Sequence, residues 1–129
     1  DADLTEADAR LAAKASAVVL VATAMPALLP RADVILPICN VTEEEGTFTN
    51  LRGRVQRFMQ ARAAPGFARP SWFVLADVAN ALGDRLDVLT AEQAFDALAA
   101  DRPEFAGLRY ARLGLRGAPV AGAGAGAAA

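Results

Sequence analysis

Two short apolar runs, Ala17-Val18-Val19-Leu20-Val21-Ala22 and Asp33-Val34-Ile35-Leu36-Pro37, decide how this chain folds. Both are continuous, brief and rich in β-branched residues, which suits strands covered on both faces, as in a parallel sheet. Pro37 stops the second run, and Pro26 and Pro30 interrupt the connection between them. Upstream, Thr5-Glu6-Ala7-Asp8 predicts a helix start. Thr5 caps a free backbone N–H, and the two acids sit at the positive end of the helix dipole. Leu4, Ala7, Leu11 and Ala15 then set an apolar stripe at helical spacing. Helix, buried strand, connection, buried strand predicts an α/β fold with an open, mainly parallel sheet.

The character changes after Pro37. Thr42-Glu43-Glu44-Glu45-Gly46 is an acidic loop closed by glycine. Thr47 to Asn50 and Arg54 to Gln60 have strand-like composition, and Leu51-Arg52-Gly53 between them predicts a three-residue hairpin turn with Gly53 at positive φ. Along the second arm Val55, Arg57 and Met59 share one face, while Arg54, Gln56, Phe58 and Gln60 share the other. Neither face is purely apolar, so the hairpin is expected to lie over a surface or line a cleft. Ala63-Ala64-Pro65-Gly66 and Arg69-Pro70 form a linker. Ser71 is expected to cap a helix bearing Trp72, Leu75, Val78, Ala79 and Leu82, ending at Gly83. Thr90-Ala91-Glu92-Gln93 predicts a capping box, Gln93 reaching back to the Thr90 N–H, ahead of a helix carrying Ala94, Phe95 and Leu98. The expected organisation is an end of an α/β domain with its hairpin over 1–62, a linker and two helices over 63–116, and a disordered Gly/Ala tail over 117–129. With Asp1 in place of an initiator Met, the chain reads as a fragment.

Composition excludes several functions. The 129 residues carry a net charge of −2, so nothing overall draws the chain to nucleic acid. No apolar run approaches the roughly 20 residues of a membrane-spanning helix. One cysteine and no histidine leave no disulfide framework and no complete zinc or iron–sulfur site. Without histidine, Cys39 has no partner for nucleophilic catalysis and reads as a buried, inert thiol. Asp33 precedes a strand as catalytic carboxylates do, with a turn or cap role as the other reading, and Trp72 reads as an anchor for its helix start. No catalytic residue and no metal ligand stands out.

The feature with chemical content is the hairpin, which places Arg52, Arg54, Arg57 and Arg62 within eleven residues. One reading is a cleft for an anion such as a nucleotide phosphate, with Asn50 and Gln56 supplying directional hydrogen bonds. The other is a solvated hairpin whose arginines pair with Glu43, Glu44 and Glu45.

The run Ala32-Asp33-Val34-Ile35-Leu36-Pro37, Glu43, Gly46-Thr47-Phe48-Thr49-Asn50 and Gly53-Arg54-Val55-Gln56 resembles the molybdopterin oxidoreductase superfamily. It is especially similar to the large iron–sulfur subunit of bacterial NADH-quinone oxidoreductase, respiratory complex I. Pro65-Gly66, Ala68-Arg69-Pro70-Ser71-Trp72, Leu75 and Pro103 to Leu108 continue the family's order. Gly53 favours the complex I subunit within the superfamily, where formate-dehydrogenase-like relatives usually carry a second arginine. Leu51-Arg52 departs from the common Thr-Glu.

The resemblance implies a scaffold segment of a complex I electron-transfer subunit, without a redox centre of its own, whose iron–sulfur clusters lie in an N-terminal part outside this chain. It further implies a place on the inner, cytoplasmic face of the plasma membrane, with other peripheral-arm subunits and the rest of the parent chain as partners, and no membrane insertion. The alternative is a fragment of a molybdopterin-dependent oxidoreductase of formate dehydrogenase type. There Asn50, Arg54 and Gln56 would contact a molybdopterin guanine dinucleotide.

Overall fold

A computed structural model describes residues 5–24 and 29–122. Leu4, Pro26 and the tail over 123–129, which carried expectations above, lie outside the described residues.

The first helix, α1 (Glu6–Lys14), starts with a full capping box. The Asp8 N–H donates to the Thr5 hydroxyl (3.3 Å), and the Asp8 carboxylate accepts from the Thr5 N–H (2.8 Å). None of its residues is buried and Leu11 is exposed, so the apolar stripe has no cover among the described residues.

Strands β1 (Val19–Ala22) and β2 (Val34–Pro37) pair in parallel, Val19 opposite Val34 and Ala22 opposite Pro37. The Asp33 carboxylate ties the entry to both, accepting from the Val18 N–H (2.7 Å) and from Arg31 (3.0 Å). Those bonds hold the carboxyl below its ordinary range, the Val18 N–H contributing most. Asp33 therefore takes the turn role, the second of its two readings. Two features of the predicted sheet are corrected. The strands are not covered on both faces: Val19 is 53% exposed and Val34 47%. Among the described residues the parallel sheet also has only these two strands, extended by a single parallel bridge between Ile38 and Arg69, and the other sheet is antiparallel.

That second sheet runs β3 (Gly46–Thr49), β4 (Arg54–Phe58), β5 (Ala118–Pro119). Leu51-Arg52-Gly53 makes the turn, with Gly53 at φ 66° as expected. β5 corrects the expectation of a structureless stretch from residue 117. Ala118 pairs with Val55, and the Val120 N–H donates to the Gly53 carbonyl (2.8 Å).

Helix α2 (Ser71–Ala81) is capped differently from the sequence expectation. Pro70 occupies the N-cap and Ser71 the first helical turn, its N–H and hydroxyl both donating to the Glu44 carboxylate (2.6 and 3.1 Å). A carboxylate is the stronger acceptor at a positive helix end, so it displaces the hydroxyl. Gly83 follows at φ 106°, where the helix was expected to stop. No residue of the expected apolar stripe is buried: Leu75 and Leu82 are exposed, Trp72, Val78 and Ala79 are half-buried, and the buried residue of the helix is Ala76.

Helix α3 (Ala91–Asp101) starts at Thr90, whose hydroxyl accepts from the Gln93 N–H (3.1 Å). The Gln93 side chain reaches the Leu89 N–H (2.8 Å), one residue before the expected target. Ala91, Phe95 and Ala99 form its buried face. The short α4 (Tyr110–Leu113) is anchored by the Tyr110 N–H on Asp96 (3.2 Å). These helices and Val55 build the core, with Trp72, Phe105 and Leu108 packed around it.

Candidate functional site

Strand alternation sorts the hairpin into two faces with different tasks. Val55 is fully buried, and Arg57 on the same face stacks its guanidinium 4.1 Å above the Tyr110 ring. The opposite face presents Arg54, Gln56 and Phe58, with Phe48 across from Gln56. Phe48 and Phe58 stack with centroids 4.7 Å apart and planes 22° from parallel. Gly46 lies opposite Phe58, and a Cβ there would meet that ring at 3.1 Å. The glycine lets the aromatic ring lie flat on the sheet.

The three residues singled out from sequence come together on this outer side. The Asn50 amide oxygen accepts from the Arg52 and Arg54 N–H groups (2.9 and 3.0 Å), so it shapes the turn. Arg54 sends Nη1 across β5 to the carbonyls of Arg116 (3.0 Å) and Gly117 (2.8 Å). Its Nε and Nη2 donors form the second fork of the guanidinium and have no partner among the described residues. Gln56 lies beside Gly117, its Cγ 2.6 Å from where a Cβ of residue 117 would stand.

Of the other arginines, Arg62 follows the solvated-hairpin reading by pairing with an acid of the loop, and Arg57 follows neither reading. Arg62 pairs with Glu43, while Arg57 is spent on Tyr110 and on the Met59 sulfur (3.6 Å). Of the three acids, Glu44 caps α2 and the Glu45 carbonyl accepts from the Trp72 indole (3.1 Å). Trp72 is thus the anchor it was expected to be. Glu43 is 4% exposed, its carboxylate accepting from the Asn40 N–H (3.1 Å) and from Arg62. The Asn40 N–H first, and Arg62 second, hold its carboxyl below the ordinary range.

Cys39 lies at the base of this loop, buried. Burial pushes its thiol up, and Glu44 and Glu43 add to the effect, which suits an inert residue. An open cavity of about 310 Å³ is lined by Phe48 and Phe58 of the hairpin together with Trp72, Phe95 and Tyr110. The Tyr110 hydroxyl is buried without a hydrogen bond, and burial foremost, then Glu45, raises the phenol. Sequence reading missed Glu44, Tyr110 and the Arg54 clamp. No local signal marks the first, since Glu44 lies 27 residues before Ser71. Among the described residues no group of three His, Cys, Asp or Glu side chains is placed to hold a metal, and no helix is long and apolar enough to cross a membrane.

Comparison with known proteins gives the arrangement its context. Residues 1–81 match the family described as Molybdopterin oxidoreductase. Two similar curated proteins are from Methanococcus maripaludis. The F420-dependent formate dehydrogenase 2 subunit alpha is 41% identical over 88 residues, and the F420-dependent formate dehydrogenase 1 subunit alpha is 36% identical over 88. Each match covers 67% of this chain and 13% of the relative, so the chain spans a small part of the length of the proteins it matches.

Proposed function

The chain belongs to the molybdopterin oxidoreductase family, and we propose from that premise that it is one segment of a molybdopterin-dependent oxidoreductase of the formate dehydrogenase type. The observation that carries this reading is the 41% identity to a formate dehydrogenase alpha subunit over 88 residues. It favours formate dehydrogenase over the complex I scaffold that Gly53 suggested. Gly53 sits at φ 66° in the hairpin turn, so a local backbone demand already accounts for glycine there. It therefore discriminates poorly between the two.

The outer face of the antiparallel sheet fits a molybdopterin guanine dinucleotide in its donor set. The open fork of Arg54 matches a phosphate oxygen pair, and the carboxamides of Asn50 and Gln56 add directional bonds. The flat Phe48–Phe58 stack offers a planar apolar surface beside them. When bound, the cofactor would supply the two-electron chemistry at its metal. Asn50, Arg54 and Gln56 would bind and orient it, with no proton or electron passing through them. Iron–sulfur relays, in this reading, belong to polypeptide beyond these residues.

The test is formate-dependent reduction of an artificial electron acceptor by the polypeptide encoded by the complete reading frame containing these residues. Formate-dependent turnover is expected. NADH-dependent quinone reduction with no response to formate would return the assignment to complex I.

A further inference from the structure

The cavity lined by the hairpin and α3 gathers most of the aromatic side chains. The chain has six Phe, one Trp and one Tyr, and five of these line this space: Phe48, Phe58, Trp72, Phe95 and Tyr110. Helix α3 supplies an apolar wall, and the loop before β3 supplies Glu44 and Glu45. No lysine or arginine is among the lining residues. At about 310 Å³ the space lies at the small end of the range for ligand sites and suits a body of one ring.

The two carboxylates have different duties. Glu44 is committed to the Ser71 N–H and hydroxyl. Glu45 gives its backbone carbonyl to the Trp72 indole, while its carboxylate has no hydrogen bond or ion pair among the described residues. Its charge reaches the cavity wall all the same: burial first, and Glu45 second, push the Tyr110 phenol up. Arg57 is stacked on Tyr110 and bonded to the Met59 sulfur, and leaves Glu45 unpaired. The Tyr110 hydroxyl is itself buried without a hydrogen bond, and a buried polar group ordinarily has a partner. Electron-rich ring faces, an unpaired carboxylate and a phenol oxygen able to accept all favour a cation that carries N–H donors.

We propose that this cavity binds a small organic ammonium ion, its charge between the aromatic rings and Glu45 and its apolar body against α3. An anion would be opposed by both carboxylates, and a neutral ring would leave Glu45 unpaired. Phe48 and Phe58 also form the stack on the hairpin, so the site adjoins the proposed cofactor face without needing a cofactor to be there.

Titration calorimetry on the polypeptide encoded by the complete reading frame, at neutral pH, tests it with benzylammonium chloride and with benzyl alcohol, an uncharged molecule of nearly the same shape. Saturable binding of benzylammonium is expected, with benzyl alcohol at least about tenfold weaker. Glu45→Gln keeps the size of the side chain, and is expected to weaken benzylammonium at least about fivefold while leaving benzyl alcohol unchanged. Phe48→Leu keeps an apolar side chain but removes one ring face, and is expected to narrow the preference for the cation in the same direction. Equal affinity for the two molecules would overturn the proposal, as would no binding of benzylammonium up to about 10 mM. Binding that both substitutions leave unchanged would also overturn it, because the cation would then sit elsewhere on the polypeptide.

Discussion

Gly117 holds the C-terminal segment against the hairpin because nothing larger fits. At φ 63°, a Cβ would stand 2.0 Å from the Val55 carbonyl oxygen, a backbone atom that cannot step aside. Gly117→Ala is expected to cost roughly 3 kcal/mol by combining left-handed strain with overpacking. It would show as a lower urea midpoint in the fluorescence of Trp72, the one tryptophan. The same region ties the proposed binding face to the fold, since Arg54 holds the Arg116 and Gly117 carbonyls with one edge of its guanidinium. Glu43 is the residue with a pH consequence. Its carboxyl is lowered from 4.5 by the Asn40 N–H and Arg62, so the stability it adds is present above that value. It is lost as pH falls through the lower folded value. The wild-type melting temperature should therefore drop below about pH 4.5, and Glu43→Gln should flatten that drop. An equally steep acid limb in both proteins would place the acid sensitivity elsewhere.

Among the elements, those set by local chemistry were legible in the sequence. The Thr5 and Thr90 caps, the Gly53 turn and the two apolar strands stand where composition and spacing put them. Thr90→Ala should cost about 1 kcal/mol, read as a loss of α3 helicity and a lower urea midpoint. Elements set by distant partners were not legible. The true cap of α2 is Glu44, 27 residues before Ser71, and a nearer hydroxyl hid it. β5 is two residues in a Gly/Ala-rich stretch, and its pairing depends on backbone bonds to β4 and the Arg54 clamp. For the candidate site, alternation alone put Arg54, Gln56 and Phe58 on one face. It could not show that Asn50 and half of Arg54 are committed to the turn and to β5.

Across the whole molecule, the packed and unpacked parts tell the same story as the similarity. Val55, Phe95, Tyr110 and Leu113 gather the antiparallel sheet and α3–α4 around one core. α1 and the parallel pair keep their apolar residues in the open, where the sequence pattern called for cover. A chain that spans 13% of its formate dehydrogenase relatives is expected to find that cover in further polypeptide. The central claim is that this polypeptide carries a molybdopterin cofactor against the hairpin's outer face. The direct measurement is metal and pterin analysis of the purified product of the complete reading frame, as wild type and as Arg54→Ala. Near-stoichiometric molybdenum or tungsten with pterin is expected in the wild type, and a severalfold lower pterin content in the variant. A wild-type protein loaded with iron–sulfur clusters but free of molybdenum, tungsten and pterin would contradict the account.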